Sequence, residues 1–351
     1  MEAALEKEDM QGILVSSYAH LPCVAYRLLR VVDGVAAVEW LRNLRGQITT
    51  AAKKDDRSSL NVALTISGLS ALGLPPSALA TFPAAFQDGM SSPRRSRVLG
   101  DAGPNAPPQW RWGGPQTRVD VLLMTYAIDE AEIARLLKVW EPGRGLEVVM
   151  CLQAGRQPDA REHFGFLDGV GQPVIEGSGR GARQVARTGH KTDVKPGEFV
   201  LGYENVYDVQ PPMPSVEADD DKAGTLPPIG DPSGPHALGR NGSYLVFRQL
   251  SQDVPAFWRQ MQKAGARVWP GDAEGAVRAA AKTVGGWPSG EPLVRSPQAD
   301  PFDGVPHANP DNTFAYDKED PHGDACPLGA HIRRANPRDA LGPDPTTARK
   351  T

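Results

Sequence analysis

The sequence predicts an α+β fold with two domains, and three observations support this prediction. Strand-like and helix-like segments alternate between residues 23 and 155 in the order strand, helix, strand, helix, strand, helix, strand. This order is close to the βαββαβ unit of the ferredoxin-like arrangement, with one extra helix. A similar pass begins near residue 197, and 351 residues are enough for two domains. We therefore expect two ferredoxin-like domains with antiparallel sheets, over 1–160 and 161–351.

Apolar and β-branched runs predict the four strands of the first domain, at 23–32, 60–67, 119–128 and 146–155. Apolar residues recur at helical spacing over 35–46 and 129–142. Asp33 and Asp129 stand where these helices begin, and an aspartate there can cap the first turn. The basic stretch 91–115 is rich in proline and glycine, which is more typical of an exposed linker than of a phosphate-binding patch.

The second domain is interrupted by long loops. Its predicted strands and helix cover 197–205, 243–250 and 251–264. Ser251 is the predicted cap of that helix. Residues 265–325 are predicted to be mostly turns, and GGWPSGEPLV at 285–294 is the best-marked loop among them.

Composition and charge exclude several classes of function. The net charge is −4 with both signs mixed, so the chain lacks the basic footprint of a nucleic-acid-binding protein. Cys23, Cys151 and Cys326 are far apart, which indicates neither a disulfide framework nor a zinc site. The acidic N-terminus lacks the features of a signal peptide, and no stretch approaches the roughly 20 apolar residues that span a bilayer. We expect a cytoplasmic protein with no membrane or nucleic-acid partner.

A single imidazole, that of His331, lies within the stretch CPLGAHIRRANPR at 326–338. Prolines interrupt the backbone on both sides, and three guanidinium groups follow it, those of Arg333, Arg334 and Arg338. Haem suits such a segment, because its iron takes an axial imidazole and its propionates bind arginine. A surface or core position is the commoner role of a lone histidine. This motif alone leaves both interpretations open.

A second motif, EHFGFLDGVGQPVIEG at 162–177, places Asp168 in a glycine-rich loop behind Phe164 and Phe166. Asp-Gly is a common hairpin dipeptide, so a simple turn is one interpretation. The other is that Asp168 projects into an apolar pocket, where desolvation tunes its carboxylate to take and return a proton near neutral pH. His163 is an alternative base, which we expect to face solvent.

Four segments, in order, resemble the signature blocks of the dye-decolorizing peroxidases. They are FGFLDGVGQP at 164–173, GEFVLGYEN at 197–205, NGSYLVFRQLSQD at 241–253 and CPLGAHIRRANPR at 326–338. The resemblance extends to LNVALTISGLSALGLP at 60–75 and so covers essentially the whole chain. It implies a peroxidase that reduces hydrogen peroxide and oxidises dye-like or phenolic donors by one-electron steps. It also implies a dimeric α+β barrel-like pair of domains and a homo-oligomeric protein.

The same resemblance implies a b-type haem held by the second domain. His331 would be the axial iron ligand, and Asp168 the distal acid–base residue. The turn over the porphyrin would consist of Gly169, Val170 and Gly171. The propionate edge would be lined by Asn336, Pro337 and Arg338.

Two further roles have several candidates in the sequence. An acid that orients the axial imidazole could be Asp303, Asp311, Asp317, Glu319, Asp320 or Asp324. Side chains that could pass single electrons to the haem are Trp258, Trp269, Trp287 and Tyr316, with packing as the alternative role of each.

The chain departs from the family pattern after His331. That pattern continues to a distal arginine in an Arg-Arg-Gly-aromatic strand, whereas Arg349, the last arginine here, lacks the sequel. We therefore expect a truncated second domain and reduced turnover, because such an arginine would stabilise the departing charge. The alternative is a haem-binding or porphyrin-delivery protein with little peroxidase turnover. A haem-free shell component is a third possibility.

Overall fold

The computed structural model describes residues 4–53, 56–169, 173–179, 193–308, 310–311 and 314–335. The chain is α+β and divides into two compact units. The first comprises Met1–Gly155, Phe199–Tyr203 and Gln210–Leu245. The second comprises Arg156–Glu198, Glu204–Val209 and Val246–Thr351. The domains predicted over 1–160 and 161–351 stay predictions.

A four-stranded antiparallel sheet forms the centre of the first unit. Its strands are β1 (Cys23–Val31), β2 (Ser58–Leu64), β3 (Val121–Ala127) and β4 (Leu146–Gly155). Their order across the sheet is β2-β3-β1-β4, so the first strand in sequence is central and pairs with both β3 and β4. Cys23 lies opposite Ala127 on one side and Gly155 on the other. The four predicted strands are confirmed, and their order is that of a βαββαβ unit.

Two helices connect these strands and pack on the sheet. They are α1 (Gly34–Leu44) and α6 (Glu130–Val139), and both begin where the sequence predicts. The Asp33 carboxylate accepts hydrogen bonds from the first amides of α1, and Asp129 does the same for α6. Leu44 and Leu136 of these helices share one buried cluster with Leu123 of β3. Each fully buried leucine contributes about 1.5–3 kcal/mol to folding, so this cluster stabilises the packing of both helices on the sheet.

Short helices fill the connection from β2 to β3. They are α2 (Ile66–Ala71), α3 (Pro76–Leu79), α4 (Ala84–Asp88) and α5 (Pro93–Leu99). The prediction of a linker over 91–115 was therefore wrong at its beginning. Ser92 accepts a hydrogen bond from the Arg95 amide and Pro93 occupies the first helical position, which is a strong signal for the start of a helix.

The second unit consists mainly of helices and turns in its described part. Its helices are α7 (Val254–Val268), α8 (Gly275–Val284), α9 (Tyr316–Glu319) and α10 (His331–Ala335). Its one described strand pair is parallel and two residues long, β5 (Val174–Ile175) with β6 (Asp193–Val194). The cap of α7 is Asp253 and not Ser251, because the Asp253 carboxylate accepts the Ala256 amide. No described helix is both long and apolar enough to cross a lipid bilayer.

Two strand predictions for the second domain were wrong. Residues 197–205 form turns, beginning with the single 3-10 turn Pro196–Glu198, and residues 243–250 form no strand. The sequence pattern at 243–250 has high β propensity, but four of its apolar side chains are exposed, those of Tyr244, Leu245, Val246 and Leu250. Propensity alone does not make a strand, because strand stability comes from neighbours across the sheet and from burial of one face.

Candidate functional site

The loop that precedes Asp168 is held by a glutamate. Arg161 and Leu167 form an isolated antiparallel bridge, and the residues between them make a tight loop. The Glu162 carboxylate accepts hydrogen bonds from the amides of Phe164 (2.7 Å) and Phe166 (2.8 Å). A carboxylate that accepts two backbone donors fixes the loop from inside, because each such bond is charge-assisted.

The two phenylalanines of this loop pack on helix α7. The Phe164 ring lies 4.8 Å from that of Phe257, and Phe166 stacks on Trp258 with 6.4 Å between centroids. The Trp258 indole donates to the Phe164 carbonyl oxygen at 3.2 Å. The phenylalanines therefore attach the loop to α7, instead of forming the expected aromatic wall in front of Asp168.

Asp168 itself is exposed at the end of this loop. Its backbone amide donates to the Ala160 carbonyl oxygen at 2.9 Å, and its Oδ1 accepts from the Gly169 amide at 2.7 Å. The expectation of a desolvated carboxylate in an apolar pocket was wrong for this structure, because the loop turns its apolar side chains toward α7. The predicted haem contacts Val170 and Gly171 lie outside the described residues.

His331 is the first residue of helix α10. The Ala330 amide donates to the Pro327 carbonyl oxygen at 2.8 Å, which closes the turn before the helix. The imidazole is exposed and makes no hydrogen bond to the described residues, while Ala330 before it is buried. A histidine that binds a cofactor needs a fixed backbone and an accessible ring nitrogen, and His331 has both. Asn336, Pro337 and Arg338 lie outside the described residues.

Arg333, two residues after His331, has a structural role that the sequence does not reveal. It is 1% exposed, and its Nη2 donates to the side-chain Oδ2 and to the carbonyl oxygen of Asp320, both at 2.6 Å. Its guanidinium group lies 3.8 Å from the ring centroid of Tyr316. Arg333 is therefore not available to bind a ligand's acid groups, whereas Arg334 is exposed.

Asp320 belongs to this buried ion pair. Burial would raise the pKa of Asp320, but the amides of Cys326 and Ala325 and the Arg333 guanidinium more than offset that effect, and its pKa is lowered. The amide contacts measure 2.8 Å and 3.1 Å. The carboxylate is thus held ionised while it fixes the turn that leads to α10.

The other acids considered as partners of His331 are engaged elsewhere or lie on the surface. Asp311 and Glu319 both form ion pairs with Arg295. Asp303 and Asp324 are exposed, and Asp317 is half-buried. Within the described residues, none of the six candidate acids makes a hydrogen bond to His331, and the identity of an orienting acid stays a prediction.

A buried thiol and a lysine complete the support of α10. Cys326 is fully buried, burial raises the pKa of its thiol, and its Sγ lies 3.7 Å from the Tyr316 hydroxyl. Lys282 of α8 donates to the Ala325 carbonyl oxygen, and burial lowers the pKa of its ammonium group. The sequence does not reveal this role of Lys282, because a lysine in an alanine-rich helix gives no signal of a distant backbone partner.

The donor set fits a haem better than a metal ion bound by protein alone. Among the described residues there is no group of three histidine, cysteine, aspartate or glutamate side chains that could hold a metal ion. A haem iron is held by its porphyrin and needs a single axial protein ligand. The exposed imidazole of His331 on an anchored helix can supply that ligand.

Comparison with known proteins points to one family, although no family model matches the chain. A dye-decolorizing peroxidase of Mycena epipterygia is 32% identical over 305 residues, which cover 82% of this chain and 50% of the relative. Peroxidase 2 of Mycetinis scorodonius is 29% identical over 308 residues, covering 85% of this chain and 52% of the relative. The chain thus spans about half the length of the curated relatives that it matches.

Over most of its length this chain is a homologue of the dye-decolorizing peroxidases.

Solved structures of dye-decolorizing peroxidases have the same fold. One in complex with 2,6-dimethoxyphenol matches with a TM-score of 0.70 and 24% identity, over 97% of this chain and 72% of the other. The enzyme of Auricularia auricula-judae matches with a TM-score of 0.71 and 23% identity, over 96% of this chain and 70% of the other. The suspected relationship is therefore confirmed, whereas the individual roles of Asp168 and His331 in a dye-decolorizing peroxidase homologue stay predictions.

Proposed function

We propose that this chain is the haem-binding part of a peroxidase, in which His331 holds the iron and Asp168 transfers a proton between the oxygens of hydrogen peroxide. The observation that carries the proposal is the exposed imidazole at the start of α10, between buried Ala330 and buried Arg333. The haem that we propose is of b type and bound without covalent attachment, in keeping with the lack of a C-x-x-C-H motif in the sequence.

The contribution of His331 is a ring nitrogen on an anchored backbone. The ion pair between Arg333 and Asp320 anchors helix α10 two residues after His331, so the backbone at His331 needs little reordering when the imidazole binds iron. An axial imidazole anchors the iron and tunes its electronic properties. When bound, the haem supplies the two electrons that peroxide cleavage consumes, and donor molecules return them singly.

The contribution of Asp168 is proton transfer. Its exposed carboxylate accepts the Gly169 amide and is open to small molecules from solvent. It can take a proton from one oxygen of hydrogen peroxide and deliver it to the other oxygen. The oxygen–oxygen bond then breaks, and the oxygen that received the proton leaves as water. One carboxylate therefore serves as general base and then as general acid.

The reducing partner that we propose is a dye-like or phenolic small molecule. The solved relative in complex with 2,6-dimethoxyphenol supports this chemistry. A phenol can give up an electron and a proton in one-electron steps, which is the stoichiometry that the proposed reaction requires of its donor.

The first experiment tests haem binding. The purified chain is titrated with haem and followed by the Soret absorption, with His331→Ala as the variant. His322→Ala is the matched control, because His322 is also exposed and lies nine residues away in the same segment. We expect one haem per chain, loss of the ligand-specific spectrum in His331→Ala and no change in His322→Ala. A wild-type spectrum in His331→Ala would overturn the proposed ligand.

The second experiment tests proton transfer. Asp168→Asn removes the base and keeps the shape, and Asp208→Asn is the control at another exposed turn aspartate of the second unit. We expect the rate of reaction with hydrogen peroxide to fall about 10²–10⁴-fold in Asp168→Asn, the usual contribution of a general acid–base residue. Haem affinity should be retained. Equal rates in the two variants would exclude Asp168 from the chemistry.

A further inference from the structure

The loop Gly285–Gly290, which the sequence marks as a turn and the proposed reaction does not use, contacts the segments of both proposed site residues. We infer that this loop, GGWPSG, is the positioning element of the site. Its Gly285 end sets the segment of His331, and its Gly290 end sets the segment of Asp168. The inference rests on the roles proposed for these two residues. Every contact below lies within the second unit.

The first contact is between the loop and the helix that carries His331. Gly285 ends α8 with a φ of +104°, a left-handed conformation that strains other residues. A Cβ on Gly285 would overlap Ile332 Cγ2 and would lie 3.4 Å from the Ala330 Cβ. Ala330 and Ile332 flank His331 in the chain. The backbone of Gly285 therefore packs directly against both neighbours of the proposed ligand.

The second contact is between the loop and the residue before Asp168. The Leu167 amide donates to the Pro288 carbonyl oxygen at 3.1 Å. Gly290 has a φ of +91°, and a Cβ there would lie 2.5 Å from Leu167 Cδ2. Rotation about χ2 of the leucine could move Cδ2 but would leave Cβ and Cγ at 3.2 Å and 3.3 Å, and rotation about χ1 would still leave Cβ at 3.2 Å. A side chain on Gly290 would therefore push the Leu167 backbone, and Asp168 with it.

The loop between these two contacts is anchored. Trp287 is 3% exposed, its indole donates to the Ser296 carbonyl oxygen at 2.6 Å, and its amide donates to the Glu291 carbonyl oxygen at 2.9 Å. The Ser289 hydroxyl donates to Asp300 at 2.6 Å. Because the centre of the loop is fixed, a displacement at Gly285 should affect only the segment of His331. A displacement at Gly290 should affect only the segment of Asp168.

Two glycine substitutions and one matched control test the inference in the full chain without haem. Gly285→Ala and Gly290→Ala each add a methyl group at a contact. Gly286→Ala adds the same group where the nearest atom, the Glu291 carbonyl oxygen, is 3.4 Å away and φ is ordinary. Two NMR signals report the outcome, the His331 imidazole and the Gly169 amide, which donates to the Asp168 carboxylate.

We expect a crossed pattern of chemical-shift changes. Gly285→Ala should move the His331 imidazole signal and leave the Gly169 amide, and Gly290→Ala should do the reverse. Gly286→Ala should move neither. The double variant Gly285→Ala with Ile332→Ala removes the overlapping methyl group and should return the His331 signal toward its wild-type position. A general loss of stability would move both signals in both variants, and that result would overturn the inference.

Haem binding supplies a second readout. Gly285→Ala should weaken haem affinity about 10–100-fold, the usual effect of disturbing the support of a metal ligand. Gly290→Ala should keep that affinity and slow the peroxide reaction about 10²-fold, because a displacement of about 1 Å has that cost. If Gly285→Ala fails to fold, Ile332→Ala alone opens the same contact and should move only the His331 signal.

The two proposals can fail separately. A crossed NMR pattern in a chain that binds no haem would reject the proposed function and leave the positioning role of the loop intact. Normal haem binding and peroxide reaction in wild-type protein, with NMR signals that Gly285→Ala and Gly290→Ala do not move, would reject the loop's role and leave the function intact.

Discussion

The two units of this chain are each stabilised internally, and by different kinds of contact. The first depends on a sheet whose central strand β1 pairs along its length with two neighbours and on one apolar core beneath α1 and α6. The second contains a two-residue strand pair and is fixed at its candidate site by a buried ion pair, capped turns and glycines in close contact. A repetitive structure tolerates the loss of one contact better than a structure made of single, unrepeated contacts.

This difference affects which unit can position functional side chains. Hydrogen bonds in a sheet orient the backbone but leave side chains in a fixed alternation. Turns and short helices can present one side chain, such as His331, in an orientation that no regular repeat provides. The site residues predicted here all belong to the second unit.

The largest expected effect comes from breaking the buried ion pair. Asp320→Asn removes the charge that partners Arg333, and leaving a buried charge unpaired costs about 3–5 kcal/mol. We expect hydrogen exchange of the Cys326 and Ala330 amides to speed up accordingly, while exchange in β1 stays unchanged. Asp324→Asn, at an exposed aspartate of the same segment, is the control. Equal protection in the two variants would mean that the pair does not stabilise the second unit.

A comparable experiment on the first unit removes part of its core. Leu123→Ala in β3 deletes a side chain that is 1% exposed and should cost about 2–5 kcal/mol of unfolding free energy. Val148→Ala on β4, where the valine is exposed, should cost far less. Chemical denaturation measures both values. Haem binding should be retained in folded Leu123→Ala, because the proposed haem ligand belongs to the second unit. A greater loss of haem binding in Leu123→Ala than in Val148→Ala, at equal folded fraction, would contradict this expectation.

A smaller effect concerns acid. The pKa of Asp320 is lowered in the folded state, so its contribution to stability is present above the unfolded value of about 3.9 and is lost as pH falls through the lower folded value. The difference in unfolding free energy between wild type and Asp320→Asn should therefore be constant near neutral pH and shrink below about pH 4. A difference that grows on acidification would show that the sign of the pKa shift is wrong.

The smallest perturbation is thiol labelling, which changes no side chain before measurement. Cys151 is exposed on β4, whereas Cys326 is fully buried and burial raises the pKa of its thiol. A thiol-specific reagent should modify Cys151 quickly in native protein and Cys326 only after the second unit opens. With Cys23→Ser and Cys151→Ser together, the slow reaction becomes a direct measure of that opening. Rapid modification of Cys326 in this native double variant would contradict its burial.

The sequence predicted the first unit well because its signals are local and repeated. Strand runs, helical spacing and the caps at Asp33 and Asp129 each specify structure within a few residues, and they agree with one another. Helix α8 was missed because its buried face consists of glycine and small alanine side chains, although Gly285 marks its end. The strand predicted at 243–250 failed because propensity cannot say whether a partner strand is present.

The sequence names the residues of the candidate site but does not predict their exposure or their contacts. The motifs around Asp168 and His331 name the residues, but exposure of Asp168 depends on which way the neighbouring phenylalanines turn. The role of Arg333 depends on Asp320, thirteen residues earlier, which no spacing rule connects to it. Long-range contacts of this kind determine the environment of the site residues, and local sequence patterns do not predict them.

The stacking of Arg333 on Tyr316 has a consequence for oxidative damage. A cation 3.8 Å from the centroid of a ring is attracted by the ring's electron density, and the attraction becomes repulsion once the ring has lost an electron. Tyr316 is therefore harder to oxidise than an unstacked tyrosine and is a poor relay for single electrons. In the peroxidase proposed here, the stacked guanidinium group would make Tyr316, which contacts the helix of His331 through Arg333, a less ready target of oxidation.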